Sequence, residues 1–200
     1  GFNTKPGEGY SYVCQTLDMG ISYYRLVYAR LTGEPFVVAE TKNLLIREMT
    51  TRDLPELYAV YSTLEDCRYI EQLYDYDKEL EFTKNYIKNM YGFFEYGLWL
   101  VFEKKSGELI GRAGIENREI DGVTCREIGY LIRRDMQHKG YAYEACQAIL
   151  EYASDELGIQ EMFAVIDKTN EPSRKLAQKL GFELYAQTDG GPDLYKFVFG

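Results

Sequence analysis

Histidine is almost absent from this chain: His138 is the single one among 200 residues. A zinc centre built on imidazole and a Ser-His-Asp triad both lose their usual nitrogen. His138 sits in a basic turn and is at most a lone base. Cysteine is sparse as well. Cys14, Cys67, Cys125 and Cys146 are scattered, with no C-x-x-C pair, which predicts neither a zinc site nor a disulfide framework. No metal is expected, and a reducing cytoplasm is the simplest compartment. No run of about 18 apolar residues occurs, so no membrane partner is expected. No basic stretch followed by an apolar one opens the chain, so no secretion signal is expected either. Positive charge is outnumbered, with 23 Lys and Arg against 32 Asp and Glu and a net charge of −9. Such a chain repels phosphate backbones, which argues against a nucleic-acid partner. Repeats and low-complexity tracts are missing. So are a G-x-x-x-x-G-K loop and a G-x-G-x-x-G turn after a strand, the two familiar nucleotide-phosphate fingerprints.

What is present is the patterning of one domain with an appendage. Residues 1–16 read as a loose, Gly-rich leader. Residues 17–32 place Leu17, Ile21, Tyr24, Tyr28 and Leu31 at helical spacing, and Gly33-Glu34-Pro35 ends that helix. Residues 1–42 are thus expected to be a leader and an accessory helix, or the tail of an upstream domain, and residues 43–200 the main domain. There, a strand over 43–49 precedes a helix opened by Thr51-Arg-Asp-Leu-Pro-Glu56, with a Thr cap and an early Pro. A second helix is expected over about 77–91. Strands follow at 97–103, 108–116 and 123–133, the last two joined by the tight Asp121-Gly122 turn. Residues 140–157 form a helix, 161–167 a strand, 172–180 a helix, and strands at 182–187 and 193–199 finish the chain. The order β-α-α-β-β-β-α-β-α-β-β combines hairpins with β-α-β units, so a mixed sheet with helices on its faces is expected.

One segment carries chemistry. From Glu127 to Ala145 a strand runs through a short loop into a helix. The first turn of a helix has unpaired N–H groups and partial positive charge, and so attracts anions. Gly140 lets the backbone approach a ligand closely, and Ala142 keeps the helix start narrow. Arg133, Arg134 and Lys139 face only Asp135 here, a local charge reversal in an acidic chain. A bound phosphate accounts for it.

The residues Gln137, Gly140 and Ala142 form a Q-x-x-G-x-A motif. With them, the chain resembles the GNAT superfamily of N-acetyltransferases, and within it the Rim-type branch that includes ribosomal-protein alanine acetyltransferases. Glu127-Ile-Gly-Tyr-Leu131 is similar to that branch's fourth strand, and Asn170-x-x-Ser173 with Lys179-Leu-Gly-Phe182 to its later strand-to-helix segment. The likeness covers about residues 43–199. It implies a mixed, mainly antiparallel seven-stranded sheet with helices on both faces, plus the N-terminal helical extension.

The resemblance also implies a function: transfer of an acetyl group from acetyl-CoA to a primary amine by direct attack. The acceptor would be a small molecule or a peptide, and a homodimer is compatible. By resemblance, the backbone of Leu131, Ile132 and Arg133 would pair with the pantetheine arm. Amides of His138, Lys139, Gly140, Tyr141 and Ala142, after Gln137, would hold the pyrophosphate. An N–H near Leu131 would face the thioester carbonyl. Glu127 is the candidate base, with Glu116 in reserve. Asn170 and Ser173 are implied cofactor contacts, although Asn170 is equally placed to cap the helix that begins at Glu171. Many members carry a Tyr four residues after that Ser as general acid. Here the position is Ala177, so Ser173, water or no acid at all serves the leaving thiolate. The same absence keeps a second reading open, a non-catalytic acyl-CoA-binding module. Residues 65–96 interleave aromatics such as Tyr69, Tyr74 and Phe93 with acids such as Glu71 and Asp75, a surface suited to a cationic amine.

Overall fold

A computed structural model describes residues 21–64, 68–120 and 122–200. The chain divides into two compact units, one ending at Phe36 and one beginning at Val37. In the first, helix α1 (Ile21–Thr32) closes where Gly33 takes a left-handed φ of 72°. The leader and residues 17–20 of the expected helix lie outside the described residues.

The second unit starts earlier than the sequence pattern predicts. Val37–Glu40 is a strand, β1, paired antiparallel with β2 (Leu44–Arg47). The sheet therefore has eight strands rather than seven, and the added one comes from the segment read as accessory. Four residues with one turn of alternation are too short to stand out from a linker. After β2, a 3-10 turn (Thr51–Asp53) leads into α2 (Leu54–Ser62), with Pro55 in the first turn. Helix α3 (Tyr76–Tyr86) continues as a π-helix over Ile87–Phe94. The i→i+5 spacing of that wide turn brings Tyr86 and Tyr91 onto one face. Their rings meet edge-on at 5.5 Å, and both hydroxyls bind the backbone of Leu98.

The remaining elements are β3 (Leu98–Glu103), β4 (Leu109–Ile120), β5 (Val123–Ile132), α4 (Tyr141–Asp155), β6 (Glu161–Ile166), α5 (Glu171–Lys179), β7 (Glu183–Ala186) and β8 (Asp193–Val198). The strands run in the order β1-β2-β3-β4-β5-β6-β8-β7. All neighbours are antiparallel except β5 and β6. Helices cover both faces. Ala113 and Trp99 share one face, and Trp99 meets Tyr152 of α4 edge-on at 5.5 Å. Arg112 and Leu100 share the opposite face, where the Arg112 guanidinium lies 3.4 Å from the Tyr61 hydroxyl of α2. The core is apolar and fully buried around Leu44, Ile46, Trp99, Ile110, Ile149 and Met162.

The entry to α2 is held by one carboxylate. Asp53 takes both Arg47 guanidinium nitrogens, at 2.7 and 3.0 Å, and the Thr50 amide at 2.7 Å. Burial pushes its pKa up, but Arg47 and Thr50 outweigh burial and hold it below the ordinary carboxylate range. Asp53→Asn should cost about 2–3 kcal/mol at neutral pH, because it leaves a half-buried Arg47 with a weaker partner. A depressed folded pKa stabilises the fold above the unfolded value of about 3.9, and that stabilisation is lost as pH falls through the folded value. Urea denaturation at pH 7 and pH 3 should show the gap between wild type and variant closing in acid.

Candidate active site

Strands β5 and β6 run parallel but share a single register pair, Glu127 with Phe163. Beyond it they part, although β5 continues to Ile132 and β6 to Ile166. A cleft of about 1180 Å³ opens between them. It runs from Arg118 and Glu127 at one end to the Gln137–Ala142 loop at the other.

Period-two alternation decides which backbone groups face this cleft. The Arg133 amide donates to the Ile110 carbonyl at 2.8 Å. In an antiparallel pair, alternate residues turn their peptide groups towards the same neighbour. Leu131 and Arg133 are therefore turned to β4, and Tyr130 and Ile132 present their peptide groups to the cleft. This corrects two of the three backbone contacts expected by resemblance. The Arg133 side chain is also engaged elsewhere, with Asp135 at 2.8 Å and Glu108 at 3.2 Å. Gln137 has a definite task, since its side-chain amide donates to the Ile132 carbonyl at 2.9 Å.

At the far end, Gly140 is the N-cap of α4 with φ 87°, and His138 has φ 60°. A left-handed residue followed by a helical one turns successive N–H groups towards one point, a geometry that binds anions. No side chain caps this helix. Space in front of Gly140 is open, since a Cβ there would meet nothing within 4 Å. His138, Gly140, Tyr141 and Ala142 line the cleft, and Lys139 does not. The Tyr141 hydroxyl binds Glu103.

Helix α5 closes one wall. The Asn170 side chain accepts the Ser173 amide at 3.2 Å and so acts as a cap. The Ser173 hydroxyl meets the Tyr130 hydroxyl at 2.5 Å. Ala177 is buried in the core at 3% exposure. Tyr130 was not singled out from sequence, because its value depends on Ser173, 43 residues away.

The other end carries charge of both signs. Glu127 lies opposite Glu116 in the β4–β5 register. The Glu127 carboxylate is 14% exposed and stands 3.4 Å from Arg118. Burial pushes its pKa up, Arg118 opposes this, and Glu116 adds to it. The Glu116 pKa is raised in the same way by burial, against a lowering by Arg112. Gly129 lies beside Glu116, and a Cβ there would press on Leu98 at 3.2 Å and touch the Glu116 carboxylate at 3.4 Å. Arg68, Tyr69 and Glu71, between α2 and α3, line the same end. Tyr69 is tied to Thr169 across the cleft at 2.6 Å. The aromatic and acidic surface expected over 65–96 thus narrows to a few residues here. Tyr86 and Tyr91 are packed inside, and Tyr74, Phe93 and Phe94 are exposed outside the cleft. Glu65 and Asp66 lie outside the described residues.

The family described as acetyltransferase (GNAT) domain matches residues 43–183. The uncharacterized protein YkkB of Bacillus subtilis (strain 168) is 33% identical over 134 residues, covering 67% of this chain and 72% of that protein. The uncharacterized N-acetyltransferase YnaD of the same organism is 32% identical over 143 residues, covering 70% of this chain and 79% of that protein. The fold is similar to that of RimL, a ribosomal L7/L12 alpha-N-protein acetyltransferase solved in complex with coenzyme A. That likeness has a TM-score of 0.65 at 15% identity and covers 81% of this chain and 97% of that one. The chain belongs to the GNAT acetyltransferase family. It is an acetyltransferase, and the mixed fold expected from sequence holds; the likeness to RimL is one of fold.

The two raised carboxyl pKa values carry a stability signature. A carboxyl group whose folded pKa is raised stabilises the fold below about 4.3 and ceases to do so as pH rises through the folded value. At neutral pH each ionised, buried glutamate is therefore a cost. Glu116→Gln and Glu127→Gln should each raise the urea midpoint at pH 8, and the gain should vanish at pH 4.

Proposed function

We propose that this chain transfers an acetyl group from acetyl-CoA to a primary amine within the β5–β6 cleft, with Glu127 as general base. One observation carries the reading. A single cleft joins an uncapped, anion-attracting helix start to the half-buried carboxyl group of Glu127, past the peptide groups of Tyr130 and Ile132. The fit to coenzyme A rests on residues of this chain. Open space before the left-handed Gly140 suits a pyrophosphate, and the peptide groups of Tyr130 and Ile132 suit an extended pantetheine arm added like a strand. Acetyl-CoA supplies an acyl carbon whose thiolate can leave.

The residues divide the remaining work. The amides from His138 to Ala142 hold the diphosphate, with Gln137 fixing the loop to Ile132. Peptide N–H groups of β5 at Tyr130 or Ile132 face the thioester carbonyl and stabilise negative charge that develops there. The Ser173 hydroxyl, on the cleft wall, would meet the sulfur. An attacking amine must be unprotonated, and a lysine-like amine has a pKa of about 10.4. Glu127 takes its proton, and its raised pKa brings it closer to working pH than an exposed carboxylate. At this end Glu71 and Glu127 stand with Arg68, Arg118 and Tyr69, so groups of both signs meet the acceptor, either a small amine or a peptide amine. Direct attack is favoured over a cysteine-bound intermediate. Among the described residues no cysteine lines the cleft, and burial pushes the Cys146 thiol well up.

Two variants separate the halves of the site. Gly140→Val should weaken coenzyme A binding at least tenfold in calorimetry. The left-handed strain of about 1–2 kcal/mol should lower the melting temperature by only about 2–8 °C. Unchanged affinity would move the diphosphate elsewhere. Glu127→Gln should lower thiol release with an amine panel by about 10²–10⁴-fold while leaving coenzyme A affinity intact. A full rate at neutral pH would transfer the role of base to Glu116.

A further inference from the structure

We propose that Tyr130 is a positioning residue that turns the Ser173 hydroxyl proton towards the leaving sulfur. The inference rests on the reading above in which Ser173 lies against that sulfur. The tyrosine that many relatives place four residues after the serine is absent, and the buried Ala177 has nothing to donate. A phenol nevertheless stands at the serine, delivered by a different element. Tyr130 points to the face of β5 that carries α5, and its hydroxyl reaches the Ser173 hydroxyl at 2.5 Å.

The direction of this hydrogen bond determines what Ser173 can do. A serine hydroxyl has one proton to donate. If that proton goes to Tyr130, none is left for the cleft. The second contact of the Tyr130 hydroxyl is the Ser173 carbonyl at 3.5 Å, an oxygen that can only accept. At 3.5 Å that carbonyl competes weakly for the single phenol proton, and the Ser173 hydroxyl oxygen at 2.5 Å is the nearer acceptor. A phenol is also a stronger donor than an alcohol. The backbone of Ser173 is already fixed, because its amide is held by Asn170. With Tyr130 donating, the remaining freedom of the Ser173 hydroxyl is used up and its proton faces the cleft. Burial raises the Tyr130 pKa, so the phenol keeps its proton and remains a neutral donor.

The step balances without either hydroxyl losing a proton. The amine nitrogen bonds to the carbonyl carbon, and the carbon–sulfur bond breaks with its electron pair going to sulfur. The Ser173 O–H donates a hydrogen bond to the thiolate as it forms. Glu127 takes the proton from nitrogen, and the thiolate later takes one from solvent.

Product binding tests this apart from turnover. A thiol ionises near 8.5, and a hydrogen bond to its charged form lowers that value. Coenzyme A and desulfo-coenzyme A would be titrated calorimetrically against the full chain from pH 6 to pH 10. For wild type, the preference for coenzyme A should grow about five- to tenfold between pH 7 and pH 9.5, as a pKa about one unit lower in the site requires. Ser173→Ala should flatten this rise, Tyr130→Phe should flatten it nearly as much, and the double variant should add nothing. Desulfo-coenzyme A should bind Tyr130→Phe as it binds wild type, which marks an intact site. A flat Ser173→Ala profile beside a wild-type profile for Tyr130→Phe would overturn the role of Tyr130 and leave the reading of Ser173 standing. A steep profile in Ser173→Ala would overturn both. If Tyr130→Phe does not fold, 3-fluorotyrosine placed at position 130 alone, a stronger donor of the same shape, should steepen the rise, and an unchanged rise would refute the idea.

Discussion

The structure depends on two neighbouring strands that stop pairing. A buried peptide group without a partner costs free energy, so a sheet normally keeps its ladder closed. Here β5 and β6 hold one register pair and then separate. Each is secured on its other side. The β4–β5 hairpin runs through ten register pairs from Gly111 with Ile132 to Ile120 with Val123, and β6 pairs with β8 along its whole length. The opening is therefore an unpaired seam between two rigid ribbons. Gln137 satisfies the carbonyl at its end, that of Ile132. The other peptide groups along the seam are what an extended ligand arm can use.

The electrostatics follow the same division. The chain is acidic overall, yet the end of the seam at α4 offers helix amides and no capping carboxylate. Near the opposite end Glu116 and Glu127 lie in register, and burial raises both pKa values. Like charges directly opposite across strands destabilise a sheet. Such a pair is tolerated where its perturbed acidity has a use.

The order and limits of nearly every element were legible in the sequence, because hydrophobic periodicity and Gly or Pro punctuation mark them. The open, uncapped start of α4 was legible for the same reason, since Gln137, Gly140 and Ala142 are close in sequence and their spacing is a local geometric requirement. Three things were not. Strand β1 is four residues long and is defined by its pairing with β2, which periodicity alone does not register. The peptide direction at Leu131 and Arg133 follows from the phase of the β4–β5 register, and a one-residue shift exchanges the two sides. The Tyr130–Ser173 pair joins elements brought together by folding, so neither residue marks the other in the chain.

That phase lets one short strand serve both sides of a reaction. Residues 127, 129 and 131 of β5 turn their side chains towards the face of α2. There Glu127 carries its carboxyl group, Gly129 lies against Leu98 and Glu116, and Leu131 packs the core. Residues 128, 130 and 132 turn theirs towards the face of α4 and α5, where Tyr130 meets Ser173. The peptide groups of residues 130 and 132 lie between, in the seam. The proposed proton acceptor and the proposed hydroxyl donor are thus held on opposite faces of the sheet, with the hydrogen-bonding backbone between them. In the proposed transfer a proton would leave the nitrogen on one side of the carbonyl while charge develops on the sulfur at the other, and period-two alternation places one group on each side without any additional element.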